Sequence, residues 1–203
     1  MTEIGLFPLN LVLLPSERAP LHIFEDRYKE LIGECLESHG EFGLLLAEDT
    51  GLHAVGTSAA VIEVLNRYED GRLDVVVEGR DRFRVTQITQ GHSYMSAEVQ
   101  PFEDDDASVD PALVSACVES LQHLATATGT DTTALEVSGD NVAWRIASQV
   151  DFRPELKQQL LEMRAENDRL ERLTEALEEA TTLVTVQREI KQRAAGNGKV
   201  DHL

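Results

Sequence analysis

The chain has 203 residues, 42% of them hydrophobic, and a formal net charge of −19. That much apolar material suffices for one good core or for a compact domain with a second lobe. The charge argues against nucleic acid, whose phosphates demand basic patches, and against anionic membrane surfaces.

The N-terminal "MTEIGLFPLNLVLLPSERAP" has no basic segment ahead of its apolar run, so no signal peptide is expected. No stretch approaches the roughly 20 apolar residues of a membrane span, and a cytoplasmic location is expected. Within this segment "IGLFPL" and "LNLVLLP" are short runs cut by Pro8 and Pro15, as in edge strands or strand ends. After Pro20 the period changes. Phe24, Tyr28, Leu31, Ile32, Cys35 and Leu36 recur at spacings of three and four, one face of a helix. Glu25 and Asp26 fall in its first turn, at the positive end of the helix dipole, and Gly40 after His39 ends it. "FGLLLAE" reads as a buried strand. Two β-branched runs then flank Asp70-Gly71, a strong hairpin turn. Gly79 allows a bend or bulge before "RFRVTQI", and "SYMSAEVQPF" is a further strand. Short strands around one helix predict a small, partly closed barrel.

Residues 104–110 form an acidic linker between a β-rich lobe at 1–103 and a helical lobe at 111–195, with a frayed tail at 196–203. Asp110-Pro111 is a helix start, with the acid as cap and Pro at the first helical position. "NVAWRIASQV" is a short helix capped by Ser138 or Asp140, "RPELKQQLLEM" opens another at Pro154, and Asn167 is expected to cap the last. The fold class is therefore α+β. The last helix shows an apolar seam at Leu170, Leu173, Leu177, Ala180 and Val184, interrupted by Thr174 and Thr181. It is expected to pack on its own lobe, giving a monomer or a weak homo-oligomer.

Chemistry is sparse. The six histidines form no metal-ligand spacing and no cofactor or metal is expected. There is no GxSxG elbow, and "GNGKV" lacks the strand and helix of a phosphate loop. Cys35 and Cys117 read as small buried hydrophobes. His22, Glu25, Asp26 and Arg27 lie close together in sequence but have no nucleophile beside them. No catalytic residue is assigned. Glu25 or Arg27 is instead expected to pair with "VEGRDRF", at Glu78, Arg80 or Arg82, locking helix to barrel.

"LFPLNLVLLPSERAPLHIFEDRYKELI", "FGLLL", "VGTSAAVIEV", "DGRLDVVVEGRDRFRV" and "YMSAEV" together resemble the N-terminal substrate-binding domain of Lon proteases across about residues 4–102. The helical part, "KQQLLEM" and "RLERL", is similar more loosely. The family usually carries a basic residue near Asn10 and a glycine near Ser16, and this chain has neither. The resemblance implies a PUA-like pseudo-barrel with one helix, followed by helices. It also implies a non-catalytic module that binds exposed apolar or unfolded protein segments. Lon proteases continue into an ATPase and a Ser–Lys protease, so the chain is expected to be a free-standing form; a helper subunit for a separate protease or chaperone is one alternative. RNA binding is the other alternative, since PUA-like folds elsewhere bind RNA. Leu13, Leu14, Leu21 and Phe24 are the candidate peptide-contacting residues. Glu25, Arg27, Tyr28, Glu78, Gly79, Arg82 and Phe83 form the candidate structural motif.

Overall fold

The computed structural model describes residues 2–49, 51–105, 107–130 and 141–196, with side chains as far as Lys191. The chain divides into two units, Met1–Asp106 with Ala147–Ala165, and Ala107–Ile146 with Glu166–Leu203.

The first unit is built on strands β1 (Thr2–Leu9), β2 (Arg18–Ile23), β3 (Phe42–Glu48), β4 (Gly51–Leu52), β5 (Val55–Arg67), β6 (Leu73–Thr89) and β7 (Ser96–Pro101), with helix α1 (Asp26–Ser38) between β2 and β3. Strand neighbours run β1-β7-β6-β5-β3, and a parallel pairing of β1 with β3 joins the two ends into a ring. This closes a five-stranded barrel and leaves it without a free edge. The long β5 and β6 run on past it, and β2 pairs with the first part of β6, Leu73 to Glu78. These three segments form a three-stranded arm. The turn at its tip is the expected one: Gly71 has φ 83° and donates to the Tyr68 carbonyl at 3.0 Å.

The main core lies between α1, the arm and the barrel. Tyr28, Leu31, Ile32 and Cys35 from α1 meet Ile23, Phe42, Leu44, Leu73, Val75 and Val77. These α1 positions are the predicted apolar stripe. The Phe7 and Tyr28 rings stack at 4.0 Å, an arrangement contributing about 1 kcal/mol beyond the area buried. Helix α1 starts at Asp26 with Glu25 as its cap residue, and His39 ends it at φ 54°.

Two expectations need correction. "LNLVLLP" is not a strand: β1 runs through Pro8 to Leu9, and residues 11–14 lie between strands. The end of this loop, from Leu14 to Glu17, is tied down by other means. Leu14 N–H donates to Glu17 Oε2 (2.9 Å), Ser16 N–H to the Gly79 carbonyl (2.8 Å), and Gly79 N–H to the Glu17 carbonyl (2.9 Å). Gly79 is required for this close approach, because a Cβ there would sit 2.2 Å from the Leu14 carbonyl oxygen. It also opens the expected bulge: Ala59 pairs with Gly79 and Thr57 with Arg82, so β6 takes three steps where β5 takes two. Ser16, at φ 66°, holds the left-handed conformation that glycine adopts without steric cost.

The second correction concerns the lobes. Helix α4 (Pro154–Glu162) lies in the expected helical lobe at 111–195, yet it belongs to the barrel unit. Arg82 of β6 is buried and donates to the carbonyls of Leu161 (2.7 Å) and Met163 (2.6 Å), and to the Asp104 carboxylate. Helix ends leave carbonyls without intrahelical partners, and a buried guanidinium supplies donors for them. Gln158 donates to the Val55 carbonyl at 3.1 Å, and buried Lys157 to Glu17 at 2.5 Å.

The second unit contains α2 (Pro111–Thr128), α3 (Val142–Ala147) and α5 (Glu166–Gly196). Asp110 caps α2 by accepting from Ala112 N–H at 2.8 Å. Helices α2 and α5 run side by side in the same direction. Asp110 N–H meets Asn167 Oδ1 at one end, the Cys117 thiol meets Thr174 further along, and Gly129 lies beside Arg188. Asn167 is therefore not a cap. It sits inside α5 and its amide ties down Asp110 and the Ser108 carbonyl. Arg169 is fully buried, paired with Glu166 at 2.5 Å and stacked 4.4 Å from the Trp144 ring. The proposed caps Ser138 and Asp140 and the tail beyond Gly196 lie outside the described residues.

Candidate functional site

The candidate contact residues separate cleanly. Leu13 and Leu14 are fully buried, so they are core residues and present no surface. Their loop lies on Gly79, which turns them inward. Leu21 is half-buried against the main core. Phe24 alone of the four is open, at 59% exposure.

The expected lock between α1 and "VEGRDRF" is also corrected. Arg27 pairs with its neighbour Glu25 at 2.7 Å and lies 4.6 Å over the Tyr28 ring. Glu78 is taken by Arg18 at 2.8 Å and Arg80 at 2.7 Å. Arg18 sits directly opposite Glu78 in the β2–β6 register, so the strand pair satisfies the carboxylate first. Arg82 reaches α4, and Phe83 packs in a second core cluster with Leu6, Leu45, Ala97 and Val99. Arg72 is on Asp70. Arg18, Arg72, Arg80 and Arg82 are thus each held by a carboxylate.

What the arm does assemble is an aromatic and polar cluster. The β2–β6 and β5–β6 registers place His22 and Asn66 on either side of Asp74. His22 Nδ1–H donates to Asp74 Oδ1 at 2.6 Å, while Asn66 Nδ2 (2.9 Å) and Tyr68 Oη (2.7 Å) donate to Oδ2. His22, then Tyr68 and Asn66, hold the Asp74 carboxyl down at about 2. The His22 ring lies 6.0 Å from Phe24 and nearly parallel to it, and edge-on to Tyr68 at 6.1 Å. Among the described residues, the ring neighbours of His22 are Asp74, Phe24 and Tyr68. The Tyr68 hydroxyl in this cluster donates to Asp74. The Cys35 and Cys117 thiols are pushed up to about 11, chiefly by burial.

Two more apolar side chains stand out on this arm. Ile62 and Leu65, the latter at 48% exposure, fall at two register shifts between Val61 and Glu63 and between Val64 and Asn66. Each is the extra residue of a bulge, and bulges re-aim side chains. Sequence alternation alone assigns them faces in a regular strand and misses this.

A second polar cluster fastens α4. His53 faces Glu48 through Nε2 (3.2 Å) and Glu162 through Nδ1 (3.3 Å). Only the imidazolium donates from both nitrogens. Partial burial pulls its pKa down, but the two carboxylates together outweigh that and the net shift is upward. Among the described residues no group of His, Cys, Asp or Glu is arranged to hold a metal ion, and no helix is long and apolar enough to cross a membrane.

A closed antiparallel-rich barrel with one covering helix, followed by a helical unit, is the architecture of Lon N-terminal domains. The Lon N-terminal domain protein from Xanthomonas campestris matches with a TM-score of 0.66 at 28% identity, covering 85% of this chain and 97% of that one. The N-terminal domain of the Mycobacterium avium complex Lon protease matches in fold with a TM-score of 0.65, at 19% identity, over 89% of this chain and 98% of that one. The family model of the ATP-dependent protease La (LON) substrate-binding domain matches residues 3–179, and the chain belongs to that family. It is 28% identical to a Lon protease of Anaeromyxobacter dehalogenans (strain 2CP-C) over 95% of this chain, and 26% identical to that of Escherichia coli (strain K12) over 94%. The chain spans about a quarter of the length of each of these relatives, 25% and 26%.

Proposed function

We propose that this chain is a recognition module that binds exposed apolar segments of other proteins through the β2–β5–β6 arm, in the cytoplasm, and hands them to a separate protease or chaperone. The observation that carries the reading is Phe24. A large aromatic side chain stands in water beside a histidine ring held by a hydrogen-bonded carboxylate. Ile62, Leu65 and Tyr68 are likewise exposed on the same arm. Amphipathic rings such as these supply contact area at low entropic cost. The edges of the arm are poor templates for an added strand, since Pro20 interrupts β2 and bulges interrupt β5. Side chains, rather than backbone ladders, would then make the contact.

The test is binding of a fluorescently labelled, permanently unfolded protein, measured by anisotropy. Micromolar binding is expected, weakened at least fivefold by Phe24→Ala with Leu65→Ser and unchanged by Ile88→Ser, an exposed apolar residue on the barrel. Equal affinity in all three proteins, or none in the unaltered one, would sink the reading.

A further inference from the structure

Helix α4 meets the barrel through its C-terminal half, and one titratable side chain sits at that seam. Gln158 Nε2 donates to the Val55 carbonyl at 3.1 Å and to Glu162 Oε1 at 2.7 Å. Glu162 is the last residue of α4, at the negative end of the helix dipole, where a further anion is unfavourable. Facing it is His53, between β4 and β5. The backbone that carries His53 is fixed: its N–H donates to the Leu46 carbonyl (3.0 Å), and Val85 N–H to the Ala54 carbonyl (2.8 Å). The ring has one carboxylate at each nitrogen, Glu162 at Nδ1 (3.3 Å) and Glu48 of β3 at Nε2 (3.2 Å). Among the described residues these two are the charged groups that face it. The cations of the same seam are committed elsewhere, Lys157 to Glu17, and Arg82 to Asp104 and the carbonyls of Leu161 and Met163.

We propose that His53 is a proton-operated clasp on α4, closed while the ring is charged and opened when the ring gives up its proton. A charged ring donates from both nitrogens and joins β3 to α4. A neutral ring carries a single N–H. Its other nitrogen then turns a lone pair on a carboxylate, and that contact is lost. The surroundings choose which one. Among the described residues the Glu48 carboxylate has His53 as its partner, whereas Glu162 keeps Gln158. The neutral ring therefore keeps its proton on Nε2, Glu48 stays held, and Glu162 faces a bare Nδ1. The last turn of α4 loosens, with Gln158 and Arg82 still in place but the link to His53 gone. The direction follows from linkage. Partial burial pulls the ring's pKa down, but the carboxylates outweigh it and lift it above the ordinary 6.5. A raised histidine stabilises the closed form fully below its unfolded value and loses that contribution as pH rises through the folded value. Ordinary carboxylates, lysines and arginines keep their charge across that window. The clasp thus answers a small change of pH near neutrality that leaves the other ion pairs of the seam intact, whatever the arm binds.

NMR of the full chain tests this. The His53 ring should titrate above 6.5, and Glu162→Gln and Glu48→Gln should each bring it down. Amide exchange at Glu162 and Met163, corrected for its intrinsic pH dependence, should speed up between about pH 6 and about pH 8.5, while Leu31 and Ile32 of α1 hold steady. Linkage ties the two readings together: a ring raised by one pH unit gives about a tenfold loss of protection. In His53→Gln the protection of Glu162 and Met163 should be low and independent of pH. The ring titration and the exchange profile both come from the unaltered chain, so they decide the matter even where a variant does not fold. A ring that titrates at or below 6.5, an end of α4 whose protection ignores pH in the unaltered chain, or a pH response that survives in His53→Gln would each overturn the proposal.

Discussion

Asp74 shows how much one side chain organises. It joins three strands, accepting from His22 of β2, from Asn66 of β5 and from Tyr68 beyond it. Because these donors favour the ionised form, the folded chain holds its carboxyl at about 2, against 3.8 ordinarily. The sign follows from linkage: a carboxyl lowered on folding stabilises the fold above its unfolded pKa and loses that contribution as pH falls through the folded value. Urea midpoints should therefore drop between about pH 4 and about pH 2, and Asp74→Asn should flatten that part of the profile. An unchanged slope would show that Asp74 does not couple to folding. His22 was visible in the sequence as one of a local cluster of charges. Its real partner is 52 residues away, and no spacing rule connects them. Only the register of β2 on β6 does.

Among elements, α4 teaches the most. Its start at Pro154 and its length were legible, because proline suits the first helical position. Its allegiance was not, because an amphipathic face says that a helix packs but not on what. The contacts that decide it are polar and long-range: Arg82 to two carbonyls, Gln158 to Val55, Lys157 to Glu17. The Lys157–Glu17 pair is nearly buried at both ends. Removing one member of such a pair leaves the other's charge uncompensated, at about 3 kcal/mol. Lys157→Met should cost about that much in urea unfolding, and adding Glu17→Gln should recover most of it. Full additivity of the two changes would mean the pair is not coupled. The opposite case is α1 with the Asp70-Gly71 hairpin. Both were readable from local chemistry alone, a repeated apolar stripe and a turn dipeptide. The 11–14 segment misled for the same reason: its apolar run is buried, but as a loop in which Leu14 bonds to Glu17 rather than to a ladder partner.

On the scale of the whole molecule, the net charge of −19 sets a background of self-repulsion that destabilises compact states. Added monovalent salt screens it. The melting temperature should thus rise by a few degrees between low and moderate ionic strength. A fall would show that specific ion pairs outweigh the repulsion. The path of the chain has a consequence of a different kind. It leaves the barrel after residue 106 and returns at residue 147. On a ribosome, the last barrel strand is finished at Pro101, but Leu161, which takes up Arg82, is made 60 residues later. At about 5–20 residues per second this is a delay of about 3–12 s. During it the nascent barrel has all its strands while Arg82 lacks two of its acceptors and the patch under α4 is bare. The chain thus passes through a stage with its own surface unfinished, and co-translational chaperones would meet it there first.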